Sequence, residues 1–124
     1  MEACSLVTAA DLEAALGEPF EEGTTAPANM PSICNFFSTA TKDRNVNMVL
    51  YAPGGAAMLP MMMPQPTDVP GFGDRAAWYG MGRIFGVLKG DTLLTMQFTG
   101  YPDEAACFEA AKKLAAIAAP KLSG

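Results

Sequence analysis

The chain has 124 residues, a net charge of −5 and no histidine; half of it is hydrophobic and only 17% is charged. That length buries roughly two thirds of the unfolded surface, so one domain spanning residues 1–124 with one core is expected. Eight Lys and Arg in an acidic chain argue against nucleic acid and anionic membrane surfaces, which need clustered cations, and no apolar run reaches the ~18 residues of a bilayer span.

Residues 6–17 spell a short helix with both ends marked. Thr8 stands as N-cap with Asp11 three positions on, Val7 precedes the cap opposite Leu12, and Gly17 occupies the place of a left-handed C-terminal cap. Residues 18–32 read as loop. Two runs, 33–39 and 45–51, then alternate, the first with Cys34 and Phe36 on one face, the second with Val46, Met48 and Leu50 inward. With a polar turn between them they predict an antiparallel hairpin. The stretch Ala56-Ala57-Met58-Leu59-Pro60-Met61-Met62-Met63-Pro64-Gln65-Pro66 follows, read as a short helix broken at Pro60 or as an extended loop, with no helix beyond Pro64. Residues 76–79 read as a short strand. Runs 83–89 and 92–98 flank Gly90-Asp91, a hairpin signal. From Pro102 a long helix is expected, with Asp103 and Glu104 at its start and Lys112 and Lys113 toward its end, as the helix dipole favours. Its apolar stripe is Cys107, Ala111, Leu114 and Ala118, and Pro120 stops it. The predicted fold is α+β: an antiparallel sheet of about five strands with a short N-terminal helix and a long C-terminal helix packed on it.

The missing histidine excludes Ser-His and Cys-His nucleophile pairs, most zinc sites and imidazole base chemistry. The carboxylate pairs Asp11/Glu13, Glu21/Glu22 and Asp103/Glu104 lie at helix starts or in loops, where capping and solvation account for them. Gly80-Met81-Gly82-Arg83-Ile84-Phe85-Gly86 leads into a strand and lacks the spacing of a phosphate-binding loop. Three readings stay open for Met58, Met61, Met62 and Met63. They fill an irregular gap over the sheet, they offer an adaptable surface to a partner or apolar ligand, or they hold Cu(I) as soft thioether donors, with Met30 as a further donor. In the adjacent pair Trp78-Tyr79, strand alternation sends the two rings to opposite faces, which places an aromatic beside the methionines and suggests a shallow apolar pocket. Cys107 is expected to be a buried, inert thiol. No cofactor is expected.

Cys4-Ser5-Leu6-Val7-Thr8 running into Leu12, Cys34 followed by Asn35-Phe36, Val69-Pro70-Gly71-Phe72-Gly73-Asp74-Arg75-Ala76-Ala77-Trp78, and Leu88-Lys89-Gly90-Asp91 ahead of a strand and an Ala/Leu helix together resemble a group of secreted bacterial domains. These are often lipoproteins of unknown function with a PsbP-like α/β sandwich. The resemblance implies a structural disulfide between Cys4 and Cys34 and no catalytic residues. Such a bridge closes a loop of about 30 residues, worth roughly 3 to 4 kcal/mol; two reduced thiols are the alternative, and a lipidated Cys4 is a rival. Met1-Glu2-Ala3-Cys4 has no basic-then-apolar leader, which leaves either a cytoplasmic protein or one from which an export signal has been removed. The cysteines favour the second, a periplasmic or extracellular location. The expected function is that of a non-catalytic exported binding or scaffold domain. It docks an apolar small molecule or a protein partner near Met58, Met61, Met62, Met63, Trp78 and Tyr79, and a Cu(I)-binding periplasmic protein is the alternative. Nucleic acid is not expected as a partner, and a membrane only through a lipid anchor.

Overall fold

The computed structural model describes residues 2–25, 32–41 and 43–122. Met30, the further thioether considered above, lies outside them. The elements in chain order are α1 (Ala9–Leu16), β1 (Thr24–Thr25), β2 (Ser32–Phe37), β3 (Asn45–Tyr51), α2 (Gly55–Met62), β4 (Thr67–Asp68), β5 (Arg75–Tyr79), β6 (Ile84–Lys89), β7 (Thr92–Thr99) and α3 (Glu104–Ala118). Among the described residues, seven strands form one sheet in the order β1-β2-β3-β7-β6-β5-β4, with every neighbouring pair antiparallel. The sheet is therefore wider than the expected five strands. The two extra strands, β1 and β4, have two residues each, too few to carry an alternation signal, and each blunts one edge of the sheet.

The local signals of α1 are realised in full. Asp11 N–H donates to Thr8 Oγ1 at 3.2 Å and Thr8 N–H donates to Asp11 Oδ2 at 2.8 Å, while Gly17 closes the helix at φ 77°. That positive φ is a conformation only glycine adopts without cost. In α3, Asp103 is the N-cap and accepts from Ala106 N–H at 3.2 Å.

Strand alternation divides the apolar residues between two layers. Cys34, Phe36, Val46, Met48, Leu94, Met96 and Phe98 meet Leu12 of α1 and the stripe Cys107, Ala111, Leu114 and Ala118 of α3 in the main core. Alanine along α3 lets that helix lie close to the sheet and to α1. On the opposite face Leu59 and Met63 pack on Ala77, Ile84 and Leu93 in a smaller cluster. The segment 56–63 is thus a helix and not an extended loop. Pro60 lies inside it without ending it, because the carbonyl that proline leaves unpaired belongs to Ala56, which is exposed to water.

Cys4 and Cys34 form a disulfide. The sulfur of Cys4 is therefore engaged and is not free to carry a lipid. The bond ties the 3-10 turn Ala3–Ser5 to β2, and Lys121 Nζ donates to Leu6 O at 2.9 Å, drawing the chain's far end to the same corner. No described helix is long and apolar enough to cross a membrane.

Candidate functional site

β5 delivers the aromatic pair to one end of the sheet. Trp78 turns to the helix layer, 6% exposed, with ring centroids 5.2 Å from Phe108 and 6.4 Å from Phe85. Tyr79 turns to the opposite face, half-buried beside the smaller cluster. Both faces of β5 are covered, so neither ring stands free over an open sheet.

The chain then reverses through the 3-10 turn Gly80–Gly82, and Arg83 in the left-handed region at φ 54° starts the return into β6. Glycine on either side sets Met81 at the turn's tip, where it is 88% exposed. A groove of about 440 Å³ runs between this turn, the α2–β4 connection at Gln65 and Thr67, and the first turn of α3 at Glu104. Tyr79 and the indole edge of Trp78 are part of its wall. Among the described residues, the two non-glycine residues with positive φ are Gln65 at 55° and Arg83 at 54°. Both belong to this corner, and left-handed non-glycine residues gather at ligand clamps and switch regions.

Glu104 joins the turn to α3. Trp78 Nε1 donates to Glu104 Oε2 at 3.5 Å, and Arg83 approaches Oε1 at 3.8 Å. The guanidinium makes its shorter bonds to carbonyls, donating to Gly80 O at 2.9 Å and Pro102 O at 3.3 Å. A Cβ at Gly80 would lie 2.7 Å from Cδ of Glu104, the far end of a side chain that is 54% exposed.

The expected site residues do not form one set. Trp78 and Tyr79 line the groove, and the four methionines do not. Met63 is fully buried, and its Cε occupies the space that a side chain at Gly86 would fill. Met58 and Met62 pack at the edge of the same cluster, and Met61 is 75% exposed. The residues missed are Gln65, Met81 and Glu104. Gly80-Met81-Gly82 directly after two aromatics was the available signal, since a methionine between two glycines sits at the tip of a turn.

A second polar corner is structural in character. Glu18, its side chain 12% exposed, accepts from Ser38 Oγ and from Arg44 Nη1 at 3.1 Å. Burial works against its charge, but these hydrogen bonds outweigh it and hold the carboxyl below the usual glutamate range. Burial, followed by the Glu18 charge, pushes the Tyr101 phenol up. The Cys107 thiol, fully buried, is raised by burial despite Arg83 and Arg44, so it stays protonated and poorly nucleophilic. Among the described residues no group of three or more Cys, Asp and Glu is arranged to hold a metal ion. No protein-family model matches the chain, and no curated protein or solved structure matches it either.

Proposed function

We propose that the chain is a non-catalytic, exported binding domain that takes an apolar small molecule into the groove beside Trp78 and Tyr79. The observation that carries this reading is the groove itself, whose rim holds Gln65 in the left-handed region. A concave wall in which aromatic side chains stand beside polar groups, here Gln65, Thr67 and Glu104, is a form that small-molecule sites take. The absence of histidine and the protonated state of Cys107 support a binding role over nucleophilic catalysis. The Cys4–Cys34 bond supports export, because disulfides persist in oxidising compartments.

The Cu(I) alternative draws less support. Helical spacing brings Met58, Met61 and Met62 to neighbouring surface positions, but Met58 and Met62 pack against the smaller cluster and Met63 is sealed beneath it.

Titration of the isotope-labelled protein with hexan-1-ol, followed by amide chemical shifts, tests the groove. Saturable shifts are expected at 64–67, 79–82 and 104, and Tyr79→Ala is expected to abolish them. Shifts centred instead on Met61, or no saturable shift at all, reject it.

A further inference from the structure

We infer that the open face of β2, β3 and β7 is a second binding site, separate from the groove, and that its ligand is a neutral oligosaccharide. The inward residues of these strands meet α1 and α3 in the main core, so the intervening residues face the other way. On that side α2 covers the end at Tyr51 and Leu93, and Phe37, Gln97 and Thr99 are exposed toward the other end. The register sets Asn35 opposite Asn47 and Asn47 opposite Gln97, with Phe37, Asn45 and Thr99 as the next row. Side chains facing each other in this way stand about 5 Å apart, so three amides form one continuous row. Asn is among the residues most depleted in strands, and β3 carries two on this face. Solvation alone would be served as well by threonine, which favours the strand.

The unused hydrogen-bonding capacity of the row points to hydroxyls. Asn47 Nδ2 donates to Asn35 Oδ1, and Gln97 Nε2 donates to Gly82 O at 3.3 Å. Each side-chain amide has two donor hydrogens and an acceptor oxygen. Asn35 Nδ2, Asn47 Oδ1 and Gln97 Oε1 have no partner among the described residues. Donors and acceptors side by side match the neighbouring hydroxyls of a sugar ring, which both give and take hydrogen bonds. Phe37, 39% exposed and two positions along from Asn35, adds an aromatic surface for the sugar's C–H groups. None of the three strands contains a charged residue, so the face offers no counter-charge to an ionic ligand. Its size argues against a protein partner or a second copy of the chain. Three strands of six to eight residues, about 4.8 Å apart, present on the order of 300 Å². A stable interface needs about 800 Å² from each partner, whereas a short run of sugar rings fits the smaller area.

Titration of the isotope-labelled protein with cellotriose, maltotriose and trigalacturonate, followed through the side-chain amide signals of Asn35, Asn47 and Gln97, tests the face. At least one of the two neutral sugars is expected to give saturable shifts at 35, 37, 45, 47 and 97. Trigalacturonate is expected to bind about fivefold more weakly, repelled by the molecule's net charge of −5. Gln97→Ala and Phe37→Ala are each expected to weaken binding about fivefold, the scale of one hydrogen bond or one aromatic contact. Both side chains are exposed, so neither truncation empties the core. No saturable shift with either neutral sugar, equal binding of trigalacturonate, or affinity unchanged in both variants overturns the inference. Shifts confined to 64–67, 79–82 and 104 place the sugar in the groove and overturn the second site. Shifts on the face that follow protein concentration without sugar, with a doubled mass by light scattering, assign it to a second copy of the chain and overturn it as well.

Discussion

Four methionines close together in sequence have three different environments, and the difference is energetic. Met63 is fully buried against Gly86 beneath α2, whereas Met61 is 75% exposed. Truncating a buried methionine removes its transfer free energy and leaves a cavity, so Met63→Ala is expected to cost about 2 to 5 kcal/mol. Met61→Ala is expected to stay within about 0.5 kcal/mol. Denaturant titration of both variants checks this, and equal losses would mean that α2 does not seat Met63 as described. Only part of this was legible in the residues. That methionines cover the core was among the open readings, but which one does so depends on the helix's rotation over the sheet. Glu104 was legible as a helix-start carboxylate that complements the dipole. Its place beside Trp78 and over Gly80 depends on a tertiary contact that no local pattern carries.

Helices α1 and α2 have the same length and opposite legibility. Each is eight residues long. The capping residues of α1 lie within its own sequence, so the sequence marks both its ends. Those of α2 come from the β6–β7 turn: Asp91 Oδ2 accepts from Gly54 N–H at 2.6 Å, its Oδ1 from Ala56 N–H at 3.2 Å, and its backbone carbonyl from Gly55 N–H at 2.9 Å. A helix that contains proline and borrows its N-terminal acceptor from a residue 35 positions away gives no local start signal. Gly90-Asp91 was read correctly as a hairpin turn, yet the side chain of Asp91 also fastens the second layer. Asp91→Ala is expected to cost about 1 to 2 kcal/mol, on the scale of a lost cap. The amides of α2 are expected to exchange hydrogen faster while those of α1 and α3 keep their protection. Uniform loss of protection across all three helices would show that Asp91 supports the hairpin and not the docking of α2.

At the scale of the molecule, the α+β class and the antiparallel pairing followed from alternation in β2 and β3, whose inward faces were read from the sequence, and from the turn signal between β6 and β7. The width of the sheet did not follow. β1 and β4 are held by the strands they cover, Thr24 opposite Asn35 and Thr67 opposite Trp78, and have no pattern of their own. The same dependence makes the N-terminal corner rely on a covalent tie. The disulfide links positions 30 apart across the segment that holds α1 and the approach to β1. Removing it through Cys4→Ser and Cys34→Ser together is expected to cost roughly 3 to 4 kcal/mol in the chain-entropy model. Thiol titration checks the covalent state that underlies both this cost and the proposal of export. The native, unreduced protein is expected to leave Cys107 unreactive, because it is fully buried and its thiol stays protonated. After unfolding without reductant one thiol is expected to react, and after unfolding with reductant three. Three reactive thiols before reduction would mean that Cys4 and Cys34 are free in the isolated protein. The oxidising compartment would then lose its support, and the Ala3–Ser5 turn would be held to β2 by packing and by the hydrogen bond from Ala3 N–H to Ser32 Oγ at 3.0 Å.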